Sequence, residues 1–230
     1  MDEEFALPAI LCLHGYGTNA SIHRYQLRHL ITSLSATFRF VIPDAPFLVD
    51  APGPGATSID SGPFRRWNSD RSIAGSFGMS NAEIRDEALA VRELLLSTIE
   101  REGPVVGVLA FSQGACLGSA LCMDQELGCR IKFGVFICAL FPAVELGEKE
   151  SASEEERKIE IPCIHIRGSA DPYGGQGLKL FERYFVGEEA RRVVEFQGRH
   201  EVPNQQPDVV KTSEAILEVW RGLENNKRNP

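Results

Sequence analysis

Ser112 stands in the segment Ala110-Phe-Ser-Gln-Gly114, directly after the apolar run Val105 to Leu109 and directly before a helix-like stretch from Ala115 to Met123. A strand that ends in a small-x-Ser-x-small turn and opens a helix lifts a hydroxyl clear of a sheet, and the turn is too tight for any but tiny flanking side chains. Such a hydroxyl becomes a nucleophile when a base takes its proton and a carboxylate holds the base. Asp171 follows a second apolar run, Ile161 to Arg167, and His200 follows a third, Val193 to Phe196. Serine, then aspartate, then histidine is the chain order of the α/β-hydrolase triad. In that chemistry Ser112 attacks an acyl carbon. His200 removes the serine proton and returns it to the leaving group, Asp171 fixes the imidazole tautomer, and water cleaves the acyl-serine.

The oxyanion formed in such a reaction needs preorganised N–H donors. Gln113 follows the nucleophile at a helix start, where the dipole helps, and Tyr16 lies in the turn His14-Gly-Tyr-Gly17 after the first apolar run. Each residue also has a plainer use: Ser112 as an N-cap, Asp171 as a turn residue before Pro172, His200 as a polar loop residue. What favours chemistry is their joint placement at three strand ends in hydrolase order. Among the other histidines, His14 is expected to shape its turn, His165 to be a satisfied residue within a strand, and His23 and His29 to lie on a helix surface.

The elements that must position these groups follow from hydrophobic periodicity. Runs at Ala9 to Leu13, Phe38 to Ile42, Val105 to Leu109, Phe133 to Cys138, Cys163 to Ile166 and Arg192 to Phe196 read as buried parallel strands. Helical spacing joins Leu27, Leu30, Ile31 and Leu34, then Ile84, Ala88, Val91 and Leu95 behind the capping box Ser80-x-x-Glu83. Two later helices carry Leu178, Phe181 and Phe185, then Val210, Leu217 and Trp220, with Pro207 near the first turn of the last. Strands alternating with helices predict an α/β-hydrolase architecture: one domain over residues 1–230, with a doubly wound, mostly parallel sheet of about six strands and helices on both faces. Its ligand crevice lies at the carboxyl ends of the strands, where all three candidate residues fall. The segment Pro43 to Met79 is long and rich in Pro, Gly and Ser, and reads as a lid or pocket wall, with Phe47, Phe64, Trp67 and Met79 expected to line an acyl pocket. Glu145 to Lys158 is acidic and contains serines, as a solvated loop does.

Composition sets the outer limits. The 230 residues suit one core, and no apolar run approaches the roughly 18 residues of a membrane span. The start Met-Asp-Glu-Glu-Phe5 lacks the basic and apolar regions of a secretory signal, so a cytoplasmic location is expected. The six cysteines form no C-x-x-C pair and no cluster with histidine, which argues for reduced, mostly buried thiols and no metal site. A net charge of -8 argues against nucleic-acid binding. Two rival readings are open at this level. Gly15-x-Gly17-x-x-Ala20 after a strand is a partial dinucleotide fingerprint, with only Asp44 to serve as its acidic partner. A ligand-binding protein on a hydrolase fold is the other.

Leu11-Cys-Leu-His-Gly-Tyr-Gly17, Pro43-Asp-Ala-Pro46, Gly62-Pro-Phe-Arg-Arg-Trp67, Phe111-Ser-Gln-Gly114, Gly168-Ser-Ala-Asp-Pro172 and Gly198-Arg-His-Glu-Val-Pro203 together resemble the fungal serine hydrolase family. This small α/β-hydrolase group includes the lovastatin-pathway thioesterase and stand-alone thioesterases of polyketide clusters. The resemblance runs from Ile10 to about Trp220, and departs in Ala110, where the elbow usually has glycine, and in Arg199 before His200. It implies the triad Ser112, Asp171 and His200, and esterase or thioesterase activity without a metal or organic cofactor. It also implies, as the substrate, a polyketide acyl chain on a synthase carrier protein, with a broad carboxylesterase as the alternative. Arg65 and Arg66 are then candidates to meet an acidic carrier surface.

Overall fold

The computed structural model describes residues 7–54, 56–68, 79–144, 146 and 158–228. The chain runs β1 (Ala9–Leu13), α1 (Ala20–Gln26), α2 (Arg28–Leu34), β2 (Arg39–Val41), β3 (Phe47–Val49), β4 (Phe64–Arg66), α3 (Asn81–Glu102) and β5 (Val105–Phe111). It continues through α4 (Gln113–Met123), β6 (Phe133–Ile137), β7 (Cys163–Gly168), α5 (Gly174–Tyr184), β8 (Arg192–Phe196) and α6 (Gln206–Arg228). Six strands form one sheet in the order β2-β1-β5-β6-β7-β8, every neighbouring pair parallel.

The strands read as unbroken apolar runs because both faces of the sheet are covered. Along β1, Ala9, Leu11 and Leu13 join one apolar cluster while Ile10 and Cys12 join the other, as period two requires. The first cluster is completed by Val91, Leu95 and Ile99 of α3, Leu117 and Leu121 of α4, and Leu180 of α5. The second is completed by Leu30 and Leu34 of α2 and by Val209 and Ile216 of α6. α3 opens on a capping box in which Glu83 N–H donates to Ser80 Oγ (3.3 Å) and Ser80 N–H donates to Glu83 Oε2 (2.7 Å). Among the described residues no helix is long and apolar enough to cross a membrane.

Two features differ from the sequence expectation. β3 and β4 pair antiparallel inside the segment expected to be a loop; they are three residues each and lack a buried apolar face, with Leu48 65% exposed, so no periodic signal announces them. The helical stretch near Leu27 is two seven-residue helices meeting at that residue, and the first of them turns His23 inward. His23 is wholly buried rather than on a helix surface, its ring 6.5 Å from those of His14 and Phe111.

The sheet order decides where a ligand binds. From β1 the chain moves to one side to make β2, and from β5 it moves to the other side to make β6, β7 and β8. The loops leaving β1 and β5 therefore diverge, which opens a crevice between their carboxyl ends. In register Leu13 lies beside Ala110, so the turn His14 to Gly17 and the turn at Ser112 face one another across that crevice.

Candidate active site

Ser112 joins β5 to α4 with φ 55° and ψ -120°, a left-handed conformation that costs a non-glycine residue about 1–3 kcal/mol. Its side chain makes no capping bond to the helix, so the N-cap use is not the one adopted. Gly114 permits the turn. A Cβ there would sit 2.2 Å from the Leu13 carbonyl oxygen and 2.7 Å from that of His14, so any side chain would drive α4 away from β1. The hydroxyl, freed from capping, donates to His200 Nε2 at 2.8 Å.

His200 follows β8 and Asp171 follows β7, and the two loops are stitched together: Ser169 N–H donates to the Phe196 carbonyl and Ala170 N–H to that of Gly198, both at 2.9 Å. His200 Nδ1–H donates to the Asp171 carboxylate at 3.0 Å and 3.1 Å. The carboxylate accepts only, so it places the imidazole proton on Nδ1 and leaves the Nε2 lone pair toward Ser112. The Asp171 side chain is 3% exposed and that of His200 14%, so the pair is shielded except where the imidazole edge meets the crevice. Asp171 Oδ1 also accepts from Tyr173 N–H (2.8 Å), so the residue is a turn former and an imidazole partner at once. The imidazole is held between Phe111 and Tyr173, ring centroids 5.3 and 5.0 Å away. Cys138, which follows β6 at φ 46°, places its thiol 3.6 and 3.5 Å from the carbonyl oxygens of Arg199 and Glu201 on either side of His200. The strand-end rule that finds Ser112, Asp171 and His200 would also have found Cys138.

Across the crevice His14 ties the first turn down. Its Nδ1 contacts the Gly15 carbonyl (2.8 Å) and Thr18 Oγ1 (3.0 Å), while Nε2 accepts from Ala45 N–H (3.1 Å). Burial pushes its pKa down to about 4, so the ring is neutral and fixed as the Nδ1–H tautomer. Tyr16 of this turn lines the same cavity as Ser112 and His200. Gln113 opens α4, where backbone N–H groups have no acceptor within the helix. The Gln113 side chain faces elsewhere: Oε1 accepts from Trp67 N–H and Nε2 donates to the Asn68 carbonyl, both at 3.1 Å. The dinucleotide fingerprint is not used as one. Gly17 has φ 68°, and a Cβ on it would lie 2.2 Å from the Gly53 backbone nitrogen, so the glycine admits the chain's own loop. Asp44 accepts from Ala20 N–H (2.8 Å) at the start of α1.

A cavity of about 620 Å³ opens over Ser112 and His200. Phe47, Phe64, Trp67 and Met79, the residues expected to form an acyl pocket, are not among the described residues that line it. Pairing of β3 with β4 turns this segment toward the protein. Trp67 is wholly buried with its indole N–H on the His14 carbonyl (2.8 Å), Phe47 packs on the core under the Arg66 guanidinium, Phe64 sits opposite Val49, and Met79 is half-buried before the Ser80 cap. Gly53, Pro54, Ser58 and Ile59 of the same segment reach the cavity instead, joined by Leu140, Phe141 and Val202. Arg66 is locked to Glu87 by two 2.7 Å bonds, and Arg65 donates to the Ala45 carbonyl (3.0 Å) with Asp44 3.9 Å away, so neither guanidinium is held out for a partner. Residues 69–78 of the expected lid segment and most of the acidic stretch 145–158 lie outside the described residues. His165 is a satisfied core residue: it meets the Ala190 carbonyl at 3.2 Å among Phe136, Phe181 and Phe185, and burial lowers its pKa to about 4.

A strained serine after the fifth strand, a histidine within bonding reach and a carboxylate behind it, on a parallel sheet wrapped by helices, define a serine hydrolase of the α/β-hydrolase fold. The chain belongs to the serine hydrolase (FSH1) family, whose profile matches residues 4–212. It is 37% identical over 232 residues to a thioesterase, FSL2, of Gibberella zeae, covering 93% of each chain. It is 33% identical over 255 residues to an esterase, citA, of Monascus ruber, covering 95% of this chain and 94% of that one. Among solved structures the fold is shared with a carboxylesterase from Mesorhizobium loti, at TM-score 0.58 and 16% identity over 91% of this chain and 88% of that one. SOBER1 of Arabidopsis thaliana shares it at TM-score 0.57 and 16% identity, over 94% and 100%. Ester or thioester hydrolysis is the activity of this chain.

Proposed function

We propose that the chain works as one catalytic domain that hydrolyses acyl thioesters through an acyl-Ser112 intermediate. The substrate carbonyl enters the crevice between β1 and β5. Ser112 Oγ attacks the carbonyl carbon as His200 Nε2 takes its proton, and Asp171 holds Nδ1–H and stabilises the imidazolium. The tetrahedral oxyanion receives the backbone N–H groups of Tyr16 and Gln113, one from each side of the crevice, with the start of α4 adding its dipole. His200 then gives its proton to the departing thiol or alcohol. Water enters, is deprotonated by the same nitrogen, and releases the acid. The observation that carries this reading is the unbroken chain from Ser112 Oγ to His200 Nε2 at 2.8 Å and from Nδ1 to Asp171 at 3.0 Å, at the mouth of a cavity large enough for an extended acyl group.

Release of a polyketide acyl chain from a synthase carrier protein is the substrate role we favour, supported by the similarity to the thioesterase FSL2. A broad carboxylesterase is the second reading, supported by the similarity to esterases. Six free thiols suit a reducing compartment, so we place the enzyme in the cytoplasm. The experiment is a panel of acyl thioesters and matched oxygen esters with product masses recorded, beside Ser112→Ala and fluorophosphonate labelling. Ser112-dependent labelling with faster thioester turnover is expected. Equal turnover of both ester types selects the carboxylesterase reading, and undiminished turnover by Ser112→Ala would falsify the nucleophile assignment.

A further inference from the structure

The cavity over Ser112 is lined by more than apolar side chains: Tyr25, Gln26 and Arg28, at the junction of α1 and α2, also line it. Arg28 is partly buried, and its guanidinium lies 4.2 Å over the Tyr25 ring with Nη1–H donating to the Tyr25 carbonyl (2.8 Å). Among the described residues that leaves Nε and Nη2, one edge of the fork, without an acceptor, and Arg28 without an ion pair. In this chain of net charge -8, five of the other partly buried arginines, Arg39, Arg65, Arg66, Arg92 and Arg192, are each paired with a carboxylate.

Gln26 adds a second donor for a separate reason. His23, wholly buried beneath it, meets Gln26 Oε1 through Nδ1 at 3.2 Å. Burial lowers the His23 pKa to about 3, so the ring is neutral and Nδ1 carries its proton to that oxygen. With Oε1 engaged inside, the amide NH2 of Gln26 is the end left for the cavity. Arginine and glutamine thus present only donors there.

We propose that Gln26 and Arg28 form an anion subsite, which engages a carboxylate or phosphate of the substrate while its acyl carbon lies at Ser112. The planar edge of Arg28 matches two oxygens of either group, and Gln26 supplies a further N–H. The anion has two possible sources: a carboxylate on the acyl chain, or the phosphate of a phosphopantetheine leaving group. The proposal rests on the acyl-serine reading above.

Two substrate pairs distinguish the sources. Pentanoyl and glutaryl thioesters of N-acetylcysteamine differ by a terminal carboxylate on the acyl chain. Butyryl thioesters of pantetheine and 4′-phosphopantetheine differ by a phosphate on the leaving group. The native enzyme is expected to favour the charged member of one pair by about tenfold in kcat/KM, mainly through KM, which corresponds to one charge-assisted hydrogen bond. Arg28→Gln should bring that ratio near one, Arg28→Lys should keep part of it, and Gln26→Glu should drive it below one by repulsion. The preferred pair names the source. Ratios near one for the native enzyme in both pairs, or a native preference that survives Arg28→Gln, would overturn the subsite. Failure to hydrolyse even the neutral thioesters would instead count against the hydrolase reading.

Discussion

Acidification from pH 7 to pH 5 is expected to strip this fold of much of its stability through three histidines. His14, His23 and His165 are buried, and loss of solvation pushes their pKa values down to about 4, about 3 and about 4. In the unfolded chain each returns to about 6.5. Between these values the unfolded chain binds protons that the folded chain refuses, so stability is greatest above pH 6.5 and falls as pH falls. Over the two pH units from 7 to 5 each histidine withdraws about 2 kcal/mol, and the three together about 6 kcal/mol, which rivals the total stability of a typical domain at about 5–15 kcal/mol. Urea denaturation followed by the fluorescence of Trp67 and Trp220 at pH 7, 6 and 5 measures the loss. His165→Phe supplies the control, because this ring lies on β7 among phenylalanines and its removal leaves Ser112, His200 and Asp171 untouched. The variant is expected to lose about 2 kcal/mol less than the native chain over the same interval, whatever its stability at pH 7. A denaturation midpoint that stays constant from pH 7 to pH 5, or an identical decline in the variant, refutes the linkage.

Two further outcomes are expected. Asp171→Asn keeps the shape of the carboxylate but not its charge or its hold on Nδ1–H, so kcat should fall by about 10⁴ while the urea midpoint stays close to native; a fall below tenfold removes Asp171 from the role given to it. Trp67→Phe deletes the 2.8 Å bond to the His14 carbonyl and should cost about 1–3 kcal/mol of stability with no change in acyl-length selectivity; altered selectivity would return the ring to the pocket.

Much of the architecture is legible in the chain because parallel strands covered on both faces must be apolar throughout. Five or more such residues in a row, as in Val105 to Phe111, have few other uses. The candidate triad is legible for a related reason: the crevice of this fold lies where strands end, so a serine, an aspartate and a histidine just past three strands are already candidates for one site. β3 and β4 escaped notice because short, half-exposed strands carry no period. After this pairing Phe47 packs against the core and Trp67 is wholly buried, and this cannot be read from aromatic residues in a glycine-rich stretch.

The order of residues along the chain determined which side chains follow which strands, and with that the identities of the nucleophile, base and carboxylate candidates. Only the tertiary structure decided what faces the substrate. That outcome depends on which side of a short helix turns inward, on His23 holding one end of Gln26, and on Arg28 being left without a carboxylate. Periodicity reports burial averaged over an element, whereas a binding surface is set by single side chains from distant elements meeting in space.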